Sequence, residues 1–437
     1  MKVAHFIWNF SLQSNGKSER FVRELTQRLA RYGHEMVVFT GESDSNSELE
    51  VKIKNEGGVE IQRLEILDFE EIFPFFVSTE LQNWGDGLKF FASILTYNIL
   101  AASELASRFR RKEDFSIIHS HDWSGIMGAA GIINEIKLPL VFHIHSTEKG
   151  RSRGMGSKTI EALEYKGTKI SDVVIAVSEA MRSELQALGL NGEKMRVVHN
   201  GVNANVFRPE RVNPEVIKRI KSHYGIEAET ILFIGRLAQV KGIHNLVMAM
   251  PEILKVFPSA KLVVVGRGEL DAQLKFIIEH MDLGDSVIMR NENLDEEGRI
   301  LHYAIADVCA FPSVYDPSGV ACIEAMSMAK PVVVGASGTT GMREIVENNG
   351  PERCGIHVNG SDPSDIANGI IEILNSERER KIMGRNSRNR VLNHFTWDRI
   401  AERMLEVYTE VCEMKNMDFI QKPKEPPEQK QYQLQLQ

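Results

Sequence analysis

The chain has 437 residues, a net charge of −8, 43% hydrophobic and 26% charged residues. That length exceeds the roughly 250–300 residues at which single cores stop growing, so more than one core is expected. The acidic balance, with a sequence pI near 6.0, weighs against a nucleic-acid binder, whose domains carry a basic field, and no run approaches the ~18 unbroken apolar residues of a membrane span.

The N-terminus, "MKVAHFIWNF", is too short and too polar for a signal peptide. Within it Val3–Trp8 reads as a strand. The stretch "SLQSNGKSER" (residues 11–20) then ends like a nucleotide-triphosphate P-loop, in Gly16, Lys17 and Ser18, but Ser11 stands where the first glycine belongs. A helical pattern, "ERFVRELTQRLARYGH", follows, so an anion is expected at this strand-to-helix turn. Further strands are expected at Glu35–Thr40, Ile117–His119, Leu140–His143, Val173–Val177 and Val197–His199, with helices at Gly156–Lys166 and Glu179–Ala187. The Phe-rich residues 66–100 interrupt this series as core packing or a helix–loop–helix excursion, with a wall for an acceptor as the other reading. The segment 203–214, with two prolines, reads as an interdomain linker.

The alternation then restarts. Strands are expected at Ile231–Gly235, Lys261–Val265, Val287–Arg290, Val308–Phe311 and Pro331–Gly335, and helices at Ile243–Val256, Asp271–Met281 and Gly319–Ala329. Short apolar strands spaced by helices imply parallel sheets covered on both faces. The fold class is α/β, with two doubly wound, Rossmann-like domains. The four cysteines, Cys309, Cys322, Cys354 and Cys412, have no C-x-x-C spacing. They read as buried thiols of a reducing, cytoplasmic compartment. Residues 421–437 lack apolar clusters and read as a disordered tail.

Ligands of doubly wound domains sit at the carboxyl ends of strands. After Ile231–Gly235 comes "GRLAQVKGI", where Arg236 and Lys241 flank a loop leading into a helix. Two cations beside free helix-end N–H groups suit a diphosphate; a solvated basic turn is the plainer reading. After Val308–Phe311 comes "PSVYDPSGVACIEAM". Its turn offers the N–H groups of Ser318, Gly319 and Val320 to an anion. Asp316 and Glu324 can accept paired hydrogen bonds from vicinal sugar hydroxyls, or Asp316 simply caps the turn and Glu324 is a surface charge. The apolar setting of Glu324 demands partners for it. In the first half, His119, His121, His143 and His145 crowd two neighbouring strand ends. Zinc is one reading, but no cysteine or third-ligand spacing supports it; a polar catalytic floor fits better.

The ordered pieces "HSHDW", "FHIHSTEKGR", "VSEAMRSEL", "VVHNGVNANVFRP", "GRLAQVKGI", "VVVGRGEL", "DPSGVACIEAM", "GMREIV" and "HFTWDRIAERMLEVY" resemble the family-4 retaining glycosyltransferases of the GT-B fold, in particular the glycogen- and starch-synthase-like members. The resemblance runs over nearly all of residues 1–412. It implies two domains facing across a cleft, residues 1–205 for the acceptor and 206–395 for the sugar-nucleotide donor. Residues 396–420 would form a helix crossing back to the first domain.

By the same likeness Arg236 and Lys241 hold the donor diphosphate and Glu324 the ribose. Asp316 binds the transferred sugar, and His145 stands near the anomeric centre. Gly16 occupies the family's Gly-Gly-x-E-R loop, which makes it a backbone contact to the diphosphate rather than part of an ATPase. Met289 and Arg290 lie where the base is read by backbone. The chain departs from the family at Asn15 (for glycine), Asp316 (for glutamate) and Ser318 (for phenylalanine or cysteine), which bears on the identity of the sugar.

The activity so implied is retaining transfer of a hexose, with glucose favoured, from a donor such as UDP-glucose or ADP-glucose. The acceptor is a sugar, glucan or lipid-linked acceptor. No cofactor or metal is expected, because no D-x-D site is present. The basic runs "RFRRK" (108–112) and "KGRSRGMGSK" (149–158) also admit contact with a membrane surface. A sugar-nucleotide epimerase or phosphorylase on the same fold and a non-catalytic sugar-binding protein are the alternatives. A nicotinamide oxidoreductase would carry G-x-G-x-x-G after the first strand, which this chain lacks.

Overall fold

In the computed structural model the alternating pattern becomes two separate parallel sheets; the structure describes residues 1–10, 16–42, 53–66 and 86–415. The first sheet has the strands β1 (Lys2–Phe6), β2 (Glu35–Glu42), β3 (Ile53–Glu56), β4 (Val59–Glu65), β5 (Ile117–His121), β6 (Leu140–Ile144), β7 (Val173–Ala176) and β8 (Met195–Val197). Their spatial order is β3-β4-β2-β1-β5-β6-β7-β8. The second half contains β9 (Thr230–Ile234), β10 (Lys261–Val265), β11 (Val287–Arg290), β12 (Val308–Phe311), β13 (Tyr315–Asp316), β14 (Val332–Gly335), β15 (Thr339–Thr340) and β16 (Gly355–Val358). Six of these form a sheet in the order β11-β10-β9-β12-β14-β16, while β13 and β15 pair separately. In both sheets the order reverses beside the first strand, and at such a reversal the strand ends leave a crevice for ligands.

The central strands are buried on both faces. β12 reads VCAF and β14 VVVG with every residue buried, as helices on both sides of a parallel sheet require. The exception to parallel pairing is β3 against β4. Gly57 and Gly58, with φ of +61° and +82°, make the tight turn between these two, where residues with side chains would be strained. The Gly-Gly pair was a hairpin signal that the sequence reading passed over. The Phe-rich interruption resolves, where described, into the helix Asp86–Arg110. By length and composition its stretch Lys89–Arg110 could span a membrane, with a third of it buried. Its inner face is tied to the core: Tyr97 Oη donates to Phe39 O at 2.9 Å, and Asn98 Oδ1 accepts from Gly128 N at 2.6 Å.

The segment 203–214 connects the halves but belongs to the second. Phe207 and Val212 are buried in its core, and Phe207 O accepts from Ser327 Oγ at 2.6 Å and Arg388 Nη1 at 3.0 Å. The last strand of the first sheet ends at Val197, two residues before the expected end, because His199 is already engaged with Glu344 of the other half. The final described helix, Trp397–Met414, crosses back to the first sheet. Its Trp397, Met404, Tyr408 and Val411 share a core with Val3, Phe21, Ile117 and Val141. The expected tail 421–437 lies outside the described residues.

Candidate active site at the facing strand ends

On the second half, the site starts from two tight turns. Gly242 follows Lys241 with φ +67°, and a Cβ there would sit 2.0 Å from Pro312 O. Only glycine lets the Lys241 loop press against the strand-end loop after β12. Lys241 Nζ lies 2.6 Å from Asp316 Oδ2, with side chains 17% and 9% exposed. Asp316 is aimed by the short β13–β15 ladder, in which it pairs with Thr340. Gly319, at φ +56°, then opens the helix Val320–Ser327, and as the N-cap residue it offers no side-chain cap bond. A lysine, a carboxylate and a helix N-terminus opened by glycine thus converge where the fold places ligands, the arrangement suited to phosphate and sugar together. Ser318, beside them, is buried.

Glu324 sits in the second turn of this helix and is 3% exposed. Its apolar setting did demand partners. Arg20 Nη1, from the first half, donates to its Oε1 at 2.5 Å. Tyr303 Oη donates to Oε2 at 3.2 Å, and Arg299 Nε forms an ion pair at 3.2 Å. Both guanidinium groups lie against the Phe207 ring, at 5.8 and 5.7 Å from its centroid. A ribose reaching Glu324 must therefore share it with, or take it from, Arg20. The sequence reading passed over Arg20, although it ends the same "GKSER" piece as Gly16.

Arg236 is not brought to this group. Its side chain is 71% exposed and pairs with Glu269 at 3.1 Å. Met289 and Arg290 lie on the edge strand β11, where Arg290 pairs with Glu292 at 2.7 Å and lies over the Tyr224 ring. Gly16 stands at the N-cap of the helix Lys17–Arg31, with no side-chain cap bond, and its carbonyl accepts from Arg20 N at 2.9 Å. The preceding residues of that loop, Asn15 included, lie outside the described residues.

On the first half, strand alternation points His119, His121 and His143 to one face, and His145 follows at the end of β6. His5 joins them, because β1 pairs with β5 in a register that sets His5 opposite His119. A single histidine in "KVAHF" carries no spacing signal, so only the register reveals it. His121 Nδ1 faces His145 Nε2 at 3.3 Å, and His121 Nε2 faces His5 Nδ1 at 3.1 Å. Burial, followed by repulsion from neighbouring imidazoles, holds His119, His121 and His143 well below the usual histidine range. Burial alone lowers His5 to about 3. These rings are neutral at physiological pH.

The two halves touch. Tyr315, next to Asp316, accepts through Oη from Thr147 N at 3.0 Å. A Cβ on Gly150 would meet the Tyr315 ring at 2.0 Å, so "HSTEKGR" is shaped to the opposing lobe. Glu344 accepts from the N–H groups of Glu179 and Ala180, at the start of the helix Glu179–Ala187, where a carboxylate is stabilised. Several cations of the basic runs are paired: Arg108 is buried against Glu60 and Glu113, and Arg151 and Lys158 pair with Glu148 and Glu161. The four cysteines are free and buried.

This geometry is that of a two-lobed, sugar-transferring enzyme, and the comparisons agree. Residues 18–206 match the family "Glycosyltransferase Family 4" and residues 216–390 match "Glycosyl transferases group 1". An uncharacterized glycosyltransferase of Methanocaldococcus jannaschii is 30% identical over 428 residues, 95% of this chain and 99% of that protein. Glycogen synthase of Mycobacterium tuberculosis is 24% identical, over 93% of this chain and 94% of its own. Among solved structures, sucrose-phosphate synthase from Thermosynechococcus elongatus superposes with a TM-score of 0.74 at 23% identity, covering 94% of this chain and 99% of its own. The Anabaena protein HepE in complex with UDP-glucose does so at 0.70 and 17%, covering 94% and 100%. The chain belongs to the family-4 glycosyltransferases and has the GT-B fold.

Proposed function

We propose that the chain transfers glucose from a nucleoside diphosphate sugar to a sugar, glucan or lipid-linked acceptor, with retention at the anomeric carbon. The observation that carries this is the Lys241–Asp316 pair, 2.6 Å apart, at the glycine-opened N-terminus of the helix Val320–Ser327. Lys241 turns to the diphosphate when the donor enters, and Asp316 is released to accept from the sugar hydroxyls. As the glycosidic bond to phosphate breaks, negative charge grows on the leaving diphosphate, and Lys241 with the helix-end N–H groups stabilises it. Arg236 swings in from its exposed pair with Glu269. With side-chain cations in that role, the step uses no metal.

His145, at the end of β6, lines the acceptor side. The histidines behind it present a polar floor to that side of the site. The acceptor hydroxyl attacks from the face the diphosphate leaves, and the departing phosphate takes its proton. Contacts between the lobes, such as Tyr315 with Thr147, exclude water and limit hydrolysis of the donor. The complex of a structural neighbour with UDP-glucose and the glycogen-synthase relative support a glucosyl donor.

The test is transfer from a panel of UDP-, ADP- and GDP-glucose, with anomeric analysis of the product. Replacing Lys241 by Ala is expected to lower turnover by about 100-fold or more, the usual cost of one preorganised donor to a developing anion. Near-normal turnover in that variant overturns the assignment.

A further inference from the structure

Behind the proposed transfer site, the imidazoles inside the first sheet form a group to which the proposed reaction assigns no bond and no proton. We propose that His5, His119 and His121 bind one divalent transition-metal ion of the zinc class, at a centre separate from the transfer step. One nitrogen of each residue lies within 4.8 Å of the others, and all three are buried. His5 Nδ1 and His121 Nε2 are 3.1 Å apart, close to the ~3.3 Å between two nitrogens on a tetrahedral zinc with bonds of about 2.0–2.1 Å. His119 Nε2 is buried and has no hydrogen-bond partner among the described residues.

Two of the three outer nitrogens are already held, while His5 Nε2 is buried with no hydrogen-bond partner among the described residues. His119 Nδ1 faces Tyr408 Oη at 2.6 Å, and His121 Nδ1 faces His145 Nε2 at 3.3 Å. Such second bonds fix the tautomer and ring direction of ligating histidines. The ion takes lone pairs of His5 Nδ1, His119 Nε2 and His121 Nε2; the His5–His121 hydrogen bond gives way, and whichever of these two rings carried its proton on the facing nitrogen moves it to its other one, so that all three stay neutral. No proton is gained or lost, and an exogenous water completes a three-histidine site.

His121, His143 and His145 form a second triad with nitrogens equally close. However, His143 and His145 stand face to face, 4.1 Å apart and 11° from parallel, which keeps their lone pairs from converging. His5 and His121 are also 11° from parallel, but their ring centres are 5.5 Å apart and their nitrogens 3.1 Å, so these two nitrogens meet edge to edge; with His119 tilted by 42° to His5 and 34° to His121, the inner triad converges better. An all-imidazole set selects zinc, nickel or copper over magnesium and calcium.

The experiment titrates the full chain, stripped with a chelator, with zinc sulfate by calorimetry, and follows cobalt(II) substitution by visible absorption. About one zinc per chain, tetrahedral cobalt bands and no uptake of magnesium are expected. His5→Phe and His119→Phe fill the same space without a ligand and should abolish stoichiometric uptake, with folding checked by a cooperative thermal melt. Tyr408→Phe, which keeps all three ligands, should weaken zinc about 10-fold or more, and it stands in if the histidine variants fail to fold. The proposal is overturned if the wild-type chain takes up less than about a tenth of an equivalent, or if folded variants bind zinc like the parent. Loss of uptake in His143→Phe but not in His5→Phe overturns it as well.

Discussion

Glu164 shows how one carboxylate can be costly and still be kept. It is 8% exposed, and its oxygens accept from Glu148 N at 2.9 and 3.1 Å, which fixes the start of the "EKGR" turn packed on Tyr315. Burial pushes its carboxyl up to about 7, against the opposing pull of that backbone N–H and of Arg151. A raised carboxyl favours folding below its unfolded value of 4.5, and that contribution is lost as pH rises through about 7. A displacement of that size is worth on the order of 3 kcal/mol. Glu164→Gln keeps an acceptor for Glu148 N without the charge. Urea unfolding should show the variant more stable than the parent by about that amount near pH 8 and little changed near pH 5; equal stabilities at both would contradict it. At the same scale, Lys241 and Asp316 were legible from their place after strands, because loops at strand ends carry ligands. Arg20 was not, because the Glu324 it serves lies in the other lobe.

At the level of elements, the helix Trp397–Met414 ties the chain's end to its beginning. It starts at Thr396, whose Oγ1 accepts from Arg399 N. Its apolar side buries Trp397, Ile400, Met404, Val407, Tyr408 and Val411, the i, i+3, i+4 spacing of an amphipathic helix. That spacing was readable, and the family likeness supplied where the helix goes. Trp397 is 1% exposed and meets Phe21 edge-on at 5.8 Å. Trp397→Ala is expected to cost about 3–5 kcal/mol of stability, measured by chemical unfolding; a loss under about 1 kcal/mol would mean that the helix is not anchored there. Other elements were not readable. β16, GIHV, is interrupted by Gly355 and His357, so no continuous apolar run declares it. The helix Asp86–Arg110 has apolar residues around much of its surface, since Phe90, Leu95 and Ile99 are exposed. The Phe-rich count therefore did not separate a helix from packed loop.

Across the whole molecule, the histidines of the first sheet set the acid limit of stability. His5, His119, His121 and His143 all have folded values depressed by burial. A depressed value means that the stabilising contribution is present above the unfolded histidine range, near 6.5, and is lost as pH falls below it. The unfolded chain then binds up to four protons that the folded chain refuses, and each contributes about 1.4 kcal/mol per pH unit. Metal-free protein should lose roughly 5 kcal/mol per pH unit between about pH 6 and 4.5, a slope to which paired carboxylates such as Glu113 add at the acid end. Unfolding free energies measured across that range test it, and a slope near one proton would show that the cluster is solvated.

The amino-acid order alone determined that there are two doubly wound halves and which turns carry the lysine, the acidic residue and the helix-end N–H groups. Those features are local: hydrophobic period, chain punctuation and the residue that follows a strand. Tertiary structure alone decided that Arg20 reaches Glu324, that Arg236 rests on Glu269 away from Lys241, and that His5 completes a histidine group begun by residues more than a hundred positions later. Each of these depends on strand register or on one lobe facing the other, and neither leaves a trace in the spacing of neighbouring residues.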